Sequence, residues 1–162
     1  MKTAKLAKVT AGACALVIAA ATLSGCEAKP GAAAYNSKWT ITEQEIAQVS
    51  SELPEVFSVQ RSQVLLQLLL LKYGAQKQLS SCPSWGEISA QLADALPVSN
   101  PSTSTKDVIR LALCQNQNSQ GIQKAISDAE SALLDDNSFH LSDRYVSLGQ
   151  QIEHAKASAQ AS

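Results

Sequence analysis

The run Val64-Leu65-Leu66-Gln67-Leu68-Leu69-Leu70-Leu71 constrains this chain more than any other segment. A helix built on it is apolar nearly all round, so it is stable only when other elements enclose it. It is also too short to cross the ~30 Å hydrocarbon layer of a bilayer. The run therefore predicts the central, most buried helix of a packed domain, within a helical segment over about 58–79. Gly74 and Lys77 sit near the end of that segment.

Helical periodicity surrounds it. Thr42 and Glu45 have the spacing of a capping box, in which each side chain satisfies a free backbone N–H of the first turn. Ile46, Val49 and Leu53 follow on one face, and Pro54 ends the helix. Ser84 and Glu87 repeat the capping pattern, with Trp85, Ile88, Leu92 and Leu96 lining a third helix that ends at Pro97. The Pro- and Ser-rich stretch 97–105 reads as a surface loop, after which Ser104 and Asp107 are predicted to cap a fourth helix. Ile122, Ala125, Ile126, Ala129 and Leu133 form the cleanest amphipathic stripe, with Gly121 in or just before it. Ser142 caps a last helix carrying Tyr145, Leu148, Ile152 and Ala155, and residues 159–162 read as a disordered tail.

Two short apolar pieces flank Asn36-Ser37, a turn pair, and predict strand–turn–strand before Thr42. Phe139 to Leu141 is a candidate short strand. The expected fold is mainly α: a small bundle of about six helices over residues 33–158, with a minor β element near its N- and C-terminal ends.

The first 25 residues differ from the rest. Lys2, Lys5 and Lys8 are their only charges, and residues 9–21 are uncharged and rich in Ala, Val and Leu. As a helix that core spans roughly 20 Å, short of a membrane-spanning length and right for an export signal. Leu23-Ser24-Gly25-Cys26 resembles the lipobox of bacterial lipoproteins. That resemblance implies cleavage before Cys26, acylation of its thiol, and a tether over 26–32 holding the domain on the extracytoplasmic face of a cell membrane. The alternative is an ordinary secretory signal followed by an unmodified Cys26. Acyl chains at about 0.8 kcal/mol per buried CH₂ make two chains on one residue a stable anchor. Without the leader's three lysines, ten basic residues remain against fourteen acidic ones. Nucleic acid is not an expected partner, because phosphate neutralisation needs clustered Lys and Arg.

Cys14 leaves with the leader, so the domain keeps Cys82 and Cys114. Exported domains pair their thiols, and a disulfide closing a loop of this length contributes about 3–4 kcal/mol in the loop-entropy model. Two buried thiols are the alternative. Redox catalysis lacks a C-x-x-C, and a zinc site lacks ligand spacing.

Ala33-Ala34-Tyr35-Asn36 followed by Trp39-Thr40-Ile41-Thr42-Glu43-Gln44-Glu45-Ile46 resembles the opening of SurA-like and PrsA-like peptidyl-prolyl isomerase chaperones. Gln60 to Leu69 resembles their second helix. Phe139 to Leu148, with Arg144-Tyr145 inside, resembles the closing segment of members without an isomerase domain, although Val146 stands where that pattern has glycine. The resemblance implies a helical module that binds extended or unfolded polypeptide. It does not imply isomerase activity, since no room follows the bundle for a catalytic domain of roughly 90–100 residues.

Catalytic chemistry is thinly represented. His140 near Asp135, Asp136 and Asp143 reads as a surface histidine, and His154 and Glu153 diverge on a helix. Phosphate loops, zinc-protease and calcium-loop spacings are absent from the sequence, so neither a catalytic residue, a metal nor a cofactor is expected. Trp39, Trp85, Tyr35 and Tyr145 are the candidate peptide-binding residues, because indole and phenol rings combine area with a hydrogen-bonding edge; core packing is the competing role for each. The expected function is a lipid-anchored, non-enzymatic, chaperone-like protein for unfolded or partner polypeptides. The alternative is an accessory lipoprotein docking on one envelope complex.

Overall fold

The structure is a computed structural model that describes residues 29–57, 59–116 and 120–160. The leader 1–25, Cys26 and the first part of the tether lie outside the described residues. The fold is mainly α: β1 (Ala32–Tyr35), β2 (Thr40–Thr42), α1 (Glu43–Glu52), α2 (Arg61–Lys72), α3 (Trp85–Gln91), α4 (Thr103–Asn116), α5 (Gln120–Asp135), β3 (His140–Leu141) and α6 (Val146–Gln160). Short 3₁₀ segments occupy Glu55–Phe57, Ala75–Ser81 and Asp143–Tyr145.

Helix α2 is the centre, packed by α1, α4 and α5. Val64, Leu65, Leu68, Leu69, Leu70 and Leu71 are buried, while Leu66 and Gln67 are half-buried, so enclosure is not complete all round. At roughly 1.5–3 kcal/mol per fully buried aliphatic side chain, this one helix supplies much of the force that gathers the bundle. The helix is shorter than its hydrophobic pattern. It ends at Lys72 because Gly74 takes φ +132°, a left-handed conformation that turns the chain into the segment Ala75–Ser81.

The sheet order is β2-β1-β3, both pairings antiparallel. Tyr35 faces Thr40 on one side and His140 on the other, and the Ser142 N–H donates to the Ala33 carbonyl at 2.9 Å. Strand β1 thus ties the two ends of the domain together. A bulge between Ala32 and Ala34 lets Ala33 and Ala34 both point inward, where both are fully buried.

Caps explain the remaining boundaries. Ser84 and Glu87 form the expected reciprocal box. The Thr42 hydroxyl accepts from Glu45 N–H at 3.0 Å, but the Glu45 carboxylate turns to α4 and accepts from the Ser104 hydroxyl at 2.6 Å. With Ser104 engaged there, the cap of α4 is Ser102, whose hydroxyl accepts from Thr105 N–H at 3.2 Å. Helix α3 stops at Gln91, short of Pro97, and Leu92 and Leu96 continue only as half-buried turn residues. Gly121 lies inside α5, whose Ile122, Ile126, Ala129 and Leu133 are buried as their spacing predicts. On α6 the buried stripe stops at Ile152, and Ala155 is exposed. The helix runs on to Gln160, through the first two residues of the expected tail, whose last two lie outside the described residues.

Candidate functional site

The four aromatic candidates do not form one surface. Tyr35 stacks on His140 at 4.9 Å, and the Lys29 ammonium lies 5.1 Å from its ring. Trp39 meets Tyr73 edge-on and Phe139 at a tilt, half-buried against the core. Trp85 sits apart at the start of α3, with the Lys106 ammonium 5.7 Å above its ring. Tyr145 is corrected outright as a contact residue: it is 5% exposed, and its hydroxyl donates to Glu43 Oε2 at 3.1 Å. The spacing of its helix already marked it as core-facing.

Asp136 organises the aromatic group around Trp39. Its Oδ2 accepts from Tyr73 Oη at 2.7 Å and from Asn36 Nδ2 at 2.9 Å, and its Oδ1 accepts from Ser138 N and Oγ. Burial works against the charge, but the donors from Ser138, Asn36 and Tyr73 outweigh it and hold the carboxyl well below its usual range. Burial and the adjacent carboxylate push the Tyr73 phenol well above its own. Asn36, 6% exposed, closes the knot by accepting from Lys38 N and Trp39 N, which fixes the turn between β1 and β2. This polar knot joins the hairpin, the end of α2 and the approach to β3; every group in it is satisfied internally.

One open feature lies on the other side of Tyr73. Cys82 and Cys114 form a disulfide with Cα atoms 5.6 Å apart. One turn back on α4, Arg110 donates to the carbonyls of Leu79 and Pro83, and Gln76 donates to Asp107 at 3.3 Å. Residues 107, 110 and 114 share one face of α4, so three ties pin the segment 75–81 in place. Facing it, α5 leaves a groove of about 370 Å³ bounded by Tyr73, Gly74, Lys77, Gly121, Lys124 and Ala125. A Cβ at either Gly74 or Gly121 meets no atom within 4 Å. Gly74 is required by its positive φ. Gly121 has an ordinary helical conformation and, among the described residues, no packing neighbour at its Cβ position, and its lack of a side chain leaves the groove open.

A second feature lies where α2 and α6 begin. Val56, Val59 and Val146 are the exposed large hydrophobic residues among those described. Gln60 borders depressions shared with Val59 on one side and with Ser147, next to Val146, on the other. Sequence reasoning missed both features, having searched for aromatic side chains and not for missing ones. Among the described residues no cluster of His, Cys, Asp and Glu is suited to a metal ion. Comparison with known protein families, with curated proteins and with solved structures finds no match.

Proposed function

We propose that this protein is a lipid-anchored, extracytoplasmic binding protein for polypeptide, without catalytic chemistry of its own. Its location rests on the leader and lipobox pattern ending at Cys26, together with the Cys82–Cys114 disulfide, a bond that persists in oxidising compartments. Among the described residues no helix is long and apolar enough to cross a membrane. The observation that carries the binding role is the groove between α5 and Ala75–Ser81. It is open, walled by a stapled segment, and lined at Gly121 by a glycine whose Cβ position is open space. A rigid cleft with exposed backbone suits an extended chain, because a prearranged wall lowers the ordering cost of binding.

Full-length protein in detergent should slow aggregation of a reduced, unfolded client, and Gly121→Leu should abolish the effect while the fold persists. Equal protection by both proteins would overturn the assignment to this groove.

A second reading, docking on one specific envelope complex, draws on Val56, Val59 and Val146. Three valines are too little exposed apolar surface for general client capture, yet enough for the centre of a small interface. Photo-crosslinking from position 146 in the native host would yield one dominant partner on this reading; diffuse products would count against it.

A further inference from the structure

We infer that the groove between α5 and Ala75–Ser81 selects an extended polypeptide segment bearing acidic side chains; the inference rests on the polypeptide-binding reading above. Charge supplies the argument. Lys124 and Asp128 face each other on α5, with Nζ 2.9 and 2.8 Å from the two carboxylate oxygens, so this pair is neutral toward a ligand. Lys77 on the opposite wall is exposed and pairs with no carboxylate among the described residues. Gln78 beside it has a side-chain amide without a hydrogen bond among those residues. The groove therefore presents one uncompensated cation and a neutral donor, on a chain whose residues beyond the leader carry fewer basic than acidic groups.

An incoming carboxylate gains Lys77 directly and can share Lys124 with Asp128, whereas an incoming ammonium meets only an acid already occupied. Gly74 and Gly121 matter for reach. With no Cβ at either position, a chain can settle between the walls close enough for its side chains to meet Lys77. The disulfide at Cys82 and the Arg110 contacts keep the wall that carries Lys77 from swinging away.

The test uses full-length protein in detergent and three short, unstructured, fluorescently labelled peptides of equal length: Glu-rich, Ser/Gln-rich and Lys-rich. Binding is followed by anisotropy at low and high salt. The acidic peptide should bind tightest, by about two- to fivefold over the neutral one for each solvent-exposed contact to Lys77, and the margin should shrink as salt rises. Lys77→Glu should erase or reverse the order while the neutral peptide still binds. Gly121→Leu should weaken all three, with an undiminished melting temperature showing that the fold is intact. If the three peptides bind equally, the selection is wrong and the polypeptide-binding reading survives. If none binds, both fall. Acidic preference that persists in Lys77→Glu or Gly121→Leu places the binding elsewhere and overturns the inference.

Discussion

The hydroxyl of Thr105, fully buried in the first turn of α4, donates to Glu52 Oε2 at 2.6 Å from the last turn of α1. Ser102 N–H donates to the same oxygen at 2.7 Å, and Gln48 Nε2 to the other at 3.0 Å. A carboxylate at the C-terminal end of its own helix is poorly placed in that helix's field. Here it also stands at the N-terminal end of α4, where free N–H groups and the helix dipole favour negative charge. The pairing fixes how α1 leans on α4 across the central helix.

That arrangement predicts an acid-sensitive fold. Burial opposes ionisation of Glu52, but donors from Thr105, Ser102 and Gln48 prevail and bring its carboxyl down to about 2. Because the folded value lies below the unfolded one, the stabilisation is complete above about pH 4.5 and fades as pH falls toward 2. Urea denaturation across this range should show wild type losing its advantage over Glu52→Gln, an advantage of about 1–2 kcal/mol near neutrality once solvent screening is allowed for. Thr105→Val, similar in volume, should cost about 1–2 kcal/mol by leaving polar groups unpaired. Identical pH profiles for wild type and Glu52→Gln would refute the account.

The disulfide makes a different claim. Cys82 is 7% and Cys114 1% exposed, so reductant should act slowly on the folded protein. Replacing both cysteines with alanine should lower stability by about 3–4 kcal/mol. It should also loosen the wall of the groove, so peptide affinity measured at a temperature where the variant is folded should fall. Unchanged affinity would show that Arg110 and Gln76 hold the segment without help.

Two glycines on that groove should respond with opposite signs. Gly121→Ala, at a helical position with open space around it, should raise stability by about 0.5–1 kcal/mol through helix propensity. Gly74→Ala must place a Cβ on a backbone at φ +132° and should lose about 1–3 kcal/mol. Chemical denaturation of the two variants side by side reads both signs; a loss of stability at Gly121→Ala would mean that folding, and not ligand access, selected the glycine.

The helices were legible in the sequence because burial leaves a pattern: Ile122 to Leu133 announce their face by period, and Val64 to Leu71 announce a central buried helix by near-unbroken apolarity. So was the hairpin at Asn36, whose short side chain makes the turn itself. The end of α2 was not, since the apolar pattern runs on through Ala75 and Leu79, both buried, and only the backbone conformation of Gly74 stops the helix. The caps of α4 were misplaced because Ser102 and Ser104 are equally good cap residues, and the choice is made by Glu45 and Glu52 on another helix. The groove left no positive signal at all. It is built from a missing Cβ on α5 and a segment pinned by Cys82 and Arg110, long-range facts that no local window contains.

Tyr145 offers a test at the alkaline end. Burial first, then the hydrogen bond to Glu43 and that carboxylate's charge, raise its phenol to about 12, with Arg61 and Arg144 pulling weakly the other way. A raised phenol means that folding favours the neutral form, so its contribution is whole below about pH 10 and is lost as pH climbs toward 12. Tyr145→Phe keeps the ring in the core and removes the ionisable hydroxyl. It should cost about 1 kcal/mol at neutral pH, the net value of a hydrogen bond to a charged acceptor being set against the desolvation it relieves. Above pH 10 both proteins lose the contribution of Tyr73, but wild type also loses that of Tyr145 and declines more steeply, so the two stability profiles converge and then cross. Ultraviolet difference titration supplies the direct measurement: Tyr73 and Tyr145 both ionise late in wild type, so Tyr145→Phe should lose one tyrosine's share of the late phenolate signal, and an undiminished late signal would assign that share to another tyrosine.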